Sequence, residues 1–289
     1  MGIYIYENGH INAIQPYYFM YNGQRYNAAH FNGNIVFGKF DEVEPTVPPT
    51  EPPTEPPTIP PTPTPEPPTT TPFFVENITN ENETLRIINY IDSASQNRAP
   101  NISVFYSTDT INWSNLGTTH SGISRTLQPG ERIYLRASTT RWGTHIQDAT
   151  QELWLYNAIR GVSKVGGNIL SLVYGYNFTG NETTFPSSGG GLRNPCVFLY
   201  LFYNNTKLQD ASQLIMPVAT LEEYCYKGMF YNCRLLNSIR CDAVDMSATG
   251  CLTEWTYNVA ASGTFYKKAG VTWPTGIDGI PTGWTIVEV

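Results

Sequence analysis

The sequence predicts a mainly β protein with short helices, laid out as an N-terminal β-hairpin anchor, a stalk and a C-terminal head. Three observations point there. Nineteen tyrosines, 13% aromatic residues and only 14% charged residues favour pleated, half-buried surfaces over charged helical ones. Asn-Gly pairs recur at Asn8-Gly9, Asn22-Gly23 and Asn32-Gly33 between apolar runs, a hairpin signal because type I′ turns need positive φ at both central residues. A proline-threonine stretch over residues 44–72 holds fourteen of the chain's 22 prolines and divides what comes before it from what comes after.

Residues 1–43 read as short antiparallel hairpins. The runs IYIY, YYFMY and NIVFGKF are strand formers. A piece of about 40 residues rarely buries a sufficient core alone. A meander carrying Tyr4, Tyr6, Tyr17, Phe19, Tyr21, Phe31 and Phe37 therefore exposes more aromatic surface than it can cover, which marks an interface. These seven residues are expected to anchor the chain to another protein or to sister chains. The competing possibility is that the hairpins pack against the head. A symmetric dimer or trimer would cover the same surface.

Residues 44–72 cannot build a core. Each proline ring fixes φ and removes an amide donor, and the residue before it is pushed to extended geometry. With no Lys or Arg and almost no bulky apolar residue in the stretch, the expectation is a polyproline II rod. It would reach about 90 Å at about 3.1 Å per residue.

The head divides into two expected parts. Over residues 73–165, the runs FFVENI, TLRIINYI, NISVFYST, INWSNL and ISRTLQPGERIYLRAS alternate with turn residues and predict a β-sandwich-like domain. Gln128-Pro129-Gly130-Glu131 is a turn leading into the alternating Arg132-Ile133-Tyr134-Leu135-Arg136. Arg132, Arg136 and Arg141 are candidates for an anion, weighed against the commoner reading as a strand's solvated face.

Over residues 166–289 the pattern becomes helical from Pro217. Thr220 and Glu223 have capping-box spacing, and Leu221, Tyr224, Cys225 and Met229 recur on one helical face. A short amphipathic helix is expected, then a turn and a short strand ending at Cys241. A single unit of this kind cannot bury its own face. Gly263-Thr264-Phe265-Tyr266 and Gly283-Trp284-Thr285-Ile286-Val287 are expected to close it as strands.

These residues carry a resemblance. The segment LFYNNTKLQDASQLIMPVATLEEYCYKGMFYNCRLLNSIRC is similar to one unit of the BspA-like leucine-rich-repeat surface proteins of gut Bacteroidales and their phages. The matching features are the Leu-x-x-Pro-Val-Ala-x-Leu start and Cys225-Tyr226-x-x-Met229-Phe230-x-x-Cys233. The tail from Ala260 through Val287 resembles the closure of those proteins, and GGNILSLVYGYNF resembles the segment before their repeats. The resemblance spans residues 73–289 and implies a single leucine-rich-repeat unit over 166–289.

Long adhesins of that kind carry many repeats and an export signal, whereas MGIYIYENGH lacks a basic region and a long apolar core. The resemblance therefore favours the phage-borne form, a head fibre like those of crAss-like phages. It implies a structural virion protein on the outer surface of the capsid, attached through residues 1–43 to the major capsid protein or another virion protein, self-associated as a homodimer or homotrimer, and displaying a head to host-surface or mucus glycans. The alternative is a carbohydrate-active enzyme or carbohydrate-binding module on a Thr-Pro linker.

Composition narrows the chemistry. A net charge of −7 with no basic stripe argues against nucleic acid, and no apolar window of 18 residues suggests a membrane span. Five cysteines, Cys196, Cys225, Cys233, Cys241 and Cys251, form no C-x-x-C pair and read as small buried thiols rather than a zinc site. The glycine pair at Gly166-Gly167 lacks a phosphate-loop ending, and no catalytic motif occurs, so neither cofactor, metal nor catalytic residue is expected. Asp210, Glu222, Glu223, Asp242 and Asp245 include a conceivable glycosidase pair, although Glu222 and Glu223 also suit a helix's first turn. Trp113, Trp142, Trp154, Trp255, Trp273 and Trp284 suit either sugar stacking or the core.

Overall fold

The computed structural model describes residues 70–92, 96–147, 152–187 and 195–289, together with the backbone of five strands before residue 39. The chain divides into two compact units, Met1–Pro61 and Thr62–Val289, and is mainly β.

The first unit holds β1 (Ile3–Glu7), β2 (His10–Ile14), β3 (Tyr17–Tyr21), β4 (Gln24–Phe31) and β5 (Asn34–Gly38). β1 and β2 pair antiparallel, and β3, β4 and β5 make a three-stranded antiparallel sheet. The closing pairs are Glu7↔His10, Tyr21↔Gln24 and Phe31↔Asn34. Each leaves two residues between its strands, and in each case they are an Asn-Gly pair.

The proline-threonine stretch lies outside the described residues as far as residue 69. Its end belongs to the second unit. Asn168 donates its amide to the Thr71 carbonyl at 2.8 Å, Pro72 bridges Asn168, and Phe73 is fully buried.

The second unit begins with β6 (Phe74–Glu76), β7 (Glu83–Asn89), β8 (Ser103–Ser107), β9 (Ser114–Thr118), β10 (Ile123–Leu127), β11 (Arg132–Ser138), β12 (Gly143–Gln147), β13 (Glu152–Arg160) and β14 (Lys164–Asn168). After the one-turn helix α1 (Ser171–Tyr174) come β15 (Asp210–Ile215), β16 (Ser238–Cys241), β17 (Thr264–Lys267) and β18 (Thr285–Glu288).

One layer is a nine-stranded sheet, ordered β18-β17-β16-β15-β14-β6-β11-β8-β9, and the other is β10-β7-β13-β12. Alternation decides which side chains go inward: in β11, Ile133, Leu135 and Ala137 are buried while Arg132, Tyr134 and Arg136 face out. Those inward residues, with Leu85, Ile87, Ile123 and Ile159 from the second layer, fill one hydrophobic core. The outward arginines are already engaged. Arg132 reaches Glu76 at 2.9 Å and lies 4.0 Å from the Phe74 ring centre, and Arg136 lies 4.2 Å from that of Trp113.

The boundary expected at residue 165 falls inside β14. This strand pairs antiparallel with β6 on one side and parallel with β15 on the other, and the same core continues from Ile133 and Leu135 to Phe230 and Trp255. Sandwich and repeat region thus share a sheet.

The helix expected from Thr220 is not formed. Residues 195–205, 223–233 and 249–259 are instead three ribbons of successive turns, each followed by one parallel strand, β15, β16 or β17. Two sets of bonds hold a ribbon. Leu201, Tyr203 and Asn205 donate to the carbonyl three residues back, whereas Phe198, Tyr200, Phe202 and Asn204 donate to Cys225, Lys227, Met229 and Tyr231 of the second ribbon at 2.8–2.9 Å. The second ribbon repeats this toward Cys251, Thr253, Trp255 and Tyr257 of the third.

Every fourth residue is left-handed: Tyr200 and Asn204, then Tyr224, Gly228 and Asn232, then Gly250, Glu254 and Asn258. Half the amides point to a neighbouring coil and every fourth φ is positive, so no i to i−4 ladder can form. The single helix-turn-strand unit is corrected to three ribbon-strand coils.

The sandwich seeds the first ribbon. Trp142 and Ile159 donate their amides to Val197 and Leu201 at 2.7 Å, and Gly161 donates to the Asn205 side chain at 3.0 Å. Gly143 of β12 permits the approach, since a Cβ there would come 2.6 Å from that of Leu199.

Candidate functional site

The ribbons place one residue pair on the outside three times: Tyr203-Asn204, Tyr231-Asn232 and Tyr257-Asn258. Asparagine occupies each left-handed position, φ 57°, 60° and 57°, because its short polar side chain tolerates that region. The three asparagines form a ladder. Asn232 donates to Asn204 at 2.8 Å and Asn258 donates to Asn232 at 2.7 Å. The tyrosine before each asparagine stands over the next, with ring centres 5.2 Å apart between Tyr203 and Tyr231 and 4.5 Å apart between Tyr231 and Tyr257.

The sandwich lengthens this column into a row. Tyr156 of β13 sits 5.4 Å from Tyr203, and Tyr90, just past β7, stacks on Tyr156 at 5.0 Å. Tyr200 meets Tyr156, Tyr203 and Tyr231 at 4.9, 5.3 and 6.5 Å with steeply tilted planes. Beside them Trp154 is stacked on His145 at 3.8 Å, and Lys227 lies 4.7 Å from its ring centre.

A groove of about 370 Å³ runs along these rings, walled also by Glu152 and Glu254. Burial, then the neighbouring Tyr203, pushes the Tyr156 hydroxyl up to about 12 against the opposing pull of the Arg160 guanidinium. Burial, then the Glu254 carboxylate, raises that of Tyr200. Both stay protonated donors at any physiological pH.

Rings cover one another's faces in the stacked pairs Tyr90–Tyr156 and Tyr231–Tyr257, while Tyr156 meets Tyr203 edge to face; the ends of the row are open, with Tyr90 37% and Tyr257 40% exposed. Apolar rings beside hydroxyl donors and two carboxylate acceptors are what a polyol needs: surface for its C–H faces and partners for its hydroxyls.

The sequence-derived residues are distributed differently. The side chains of Tyr4, Tyr6, Tyr17, Phe19, Tyr21, Phe31 and Phe37 lie outside the described residues. By backbone register, Tyr17, Phe19 and Tyr21 alternate along β3, and Phe37 shares their parity through Ala28, whereas Phe31 has the opposite parity. Trp142, Trp255, Trp273 and Trp284 are core, and Trp154 alone of the tryptophans lines the groove.

Glu222, Glu223 and Asp245 line a separate cleft of about 700 Å³. Hydrogen bonds from Ser247 hold the Asp245 carboxyl below its ordinary range. Asp210 and Asp242 are turned to Lys164 and Arg240. All five cysteines are buried free thiols, and no group of three or more metal-ligating side chains occurs among the described residues. The tyrosine row was missed in the sequence, although Tyr-Asn recurs there at intervals of 28 and 26 residues. No protein family, curated protein or solved structure matches this chain.

Proposed function

We propose that this chain is a structural, adhesive protein of a virion surface, a head fibre whose aromatic row holds host-surface or mucus glycans. Residues 1–43 attach it to the major capsid protein or another virion protein, with Tyr4, Tyr6, Tyr17, Phe19, Tyr21, Phe31 and Phe37 as anchoring positions, and self-association as a dimer or trimer multiplies the heads. The proline-threonine stretch spaces head from anchor. Contacts of this kind are individually weak, and many copies on one particle convert them into avidity.

The observation that carries the reading is the row Tyr90-Tyr156-Tyr203-Tyr231-Tyr257 beside a groove with two carboxylates. The three ribbon-strand coils on a parallel ladder support the leucine-rich-repeat likeness, with more units than the one expected from sequence. Binding of the intact protein to immobilised mucin, compared with a Tyr156→Ala/Tyr231→Ala variant, tests the head; equal retention of both proteins would discard the row as the site. Deleting residues 1–43 is expected to abolish attachment to particles while the head stays folded.

The cleft bearing Glu222, Glu223 and Asp245 favours the second reading, a carbohydrate-active enzyme. A carboxyl held in its ionised form suits a nucleophile or stabiliser and needs a separate proton donor. Release of reducing sugar from mucin, lost on Asp245→Asn, would select that reading.

A further inference from the structure

A second depression of about 650 Å³ adjoins the aromatic row, and its charge is of one sign. Arg86 and Arg98 line it together with Ser121 and Ser124, and no carboxylate does. This is unusual in a chain of net charge −7. Four other cations of the head are answered: Arg125 by Glu131 at 3.0 Å, Arg132 by Glu76 at 2.9 Å, Lys164 by Glu76 and Asp210 at 3.6 and 3.7 Å, and Arg240 by Asp242 at 3.2 Å. Arg86 and Arg98 are exposed and have neither an ion pair nor a side-chain hydrogen bond among the described residues.

Register makes the surplus worse. Arg86 of β7 stands directly opposite Arg160 of β13, a cross-strand juxtaposition of like charges that opposes folding. Arg160 is committed to the aromatic row, donating from Nε to the Tyr203 carbonyl at 2.7 Å and lying 5.4 Å from that ring's centre. Successive residues at the end of β7 serve both depressions: Asn89 and Ile91 line one and Tyr90 lines the other.

We propose that the ligand of the head is an acidic polysaccharide, with a carboxylate or sulfate held between Arg86 and Arg98 while the adjoining sugar lies against the Tyr90 end of the row. The inference rests on the glycan-binding reading above and adds its charge. Guanidinium groups present parallel N–H donors that match the paired oxygens of either anion, the serine hydroxyls supply further donors, and a neutral glycan would leave both cations unanswered.

The test measures binding of the full chain to polygalacturonate, dextran sulfate and neutral dextran across a salt series. The expected result is preference for an acidic polymer, with the choice between the two assigning carboxylate or sulfate. Arg86→Glu/Arg98→Glu, and the milder Arg86→Gln/Arg98→Gln, should weaken acidic binding at least about tenfold. Lys268→Glu, an exposed cation elsewhere on the head, should leave it unchanged. Dextran bound as tightly as the acidic polymers, acidic binding indifferent to both arginine pairs, or an equal loss with Lys268→Glu would each overturn the proposal while leaving glycan binding intact. No retention of any of the three polymers or of mucin would instead remove the glycan reading itself, and this inference with it.

Discussion

Gly228 sits at the centre of the second ribbon with φ +57°, and a Cβ built on it would fall 1.9 Å from Cε1 and 2.2 Å from Cδ1 of Tyr200. The corresponding left-handed positions of the other ribbons carry Tyr200 and Glu254, φ 54° and 57°. The backbone thus accepts a side chain at a cost of about 1–2 kcal/mol; the tyrosine ring is what cannot accept it. Displacing that ring loses its contacts with Tyr156 at 4.9 Å and Tyr203 at 5.3 Å, about 0.5–1.5 kcal/mol each.

Gly228→Ala is therefore expected to destabilise the head by about 2–5 kcal/mol, read as a lower urea midpoint at unchanged slope. In a Tyr200→Ala background the new methyl has nothing to strike, and only the backbone cost of about 1–2 kcal/mol should remain. The coupling between the two sites is then about 1–3 kcal/mol. Costs that add to within a few tenths of a kcal/mol would refute the seating of Tyr200 over Gly228, and with it this account of how the row is aligned.

Three further outcomes are expected. Asn232→Ala breaks both rungs of the asparagine ladder and leaves a Cβ residue at φ 60°, for a loss of about 1–3 kcal/mol; Asn232→Gly should lose less, and the reverse order in thermal melts would show that φ is not the reason asparagine is there. Glu83 is buried with its Oε2 accepting from the Ser163 amide and hydroxyl at 3.0 Å, and burial raises its carboxyl above the ordinary 4.5. The folded state therefore holds that proton more tightly than the unfolded chain, so wild type should lose stability relative to Glu83→Gln as pH climbs from 4.5 through the raised value and no further above it; parallel stability curves would contradict this. Burial pushes the thiols of Cys196 and Cys241 up to about 12 and raises the other three as well, so Ellman's reagent should leave native protein untouched and count five thiols after denaturation, and rapid native labelling would show that a ribbon opens.

Much of the architecture was legible in local chemistry. Asn-Gly pairs, a hairpin signal, located the breaks between the paired strands β1 and β2, β3 and β4, and β4 and β5, and alternation in Arg132–Ser138 gave the inward and outward faces of β11. The ribbons were not legible, for a definite reason. Buried pairs recur every four residues, as at Cys225-Tyr226 and Met229-Phe230, and over nine residues a period of four cannot be told from 3.6. What separates the two is the destination of alternate amides, which lies in another coil. The candidate site was hidden likewise: its rings come from the residue after β7, from β13 and from three ribbons, and only the recurrence of Tyr-Asn, blurred in the third copy by Thr256 where Phe202 and Phe230 stand, hinted that they share a face. The sequence drew attention to tryptophan, the larger ring, and most tryptophans are buried.

The way the first ribbon bonds to β13 bears on how such a head can change in size. Each turn of chain presents to its successor the same comb of amide donors that its own carbonyls accepted from its predecessor, so duplicating one segment of about 26–28 residues would insert a new coil without disturbing either end. Each added copy would extend the row by one tyrosine and one asparagine. Reach along a polymer could then be adjusted by gene duplication alone, in steps of a single ring.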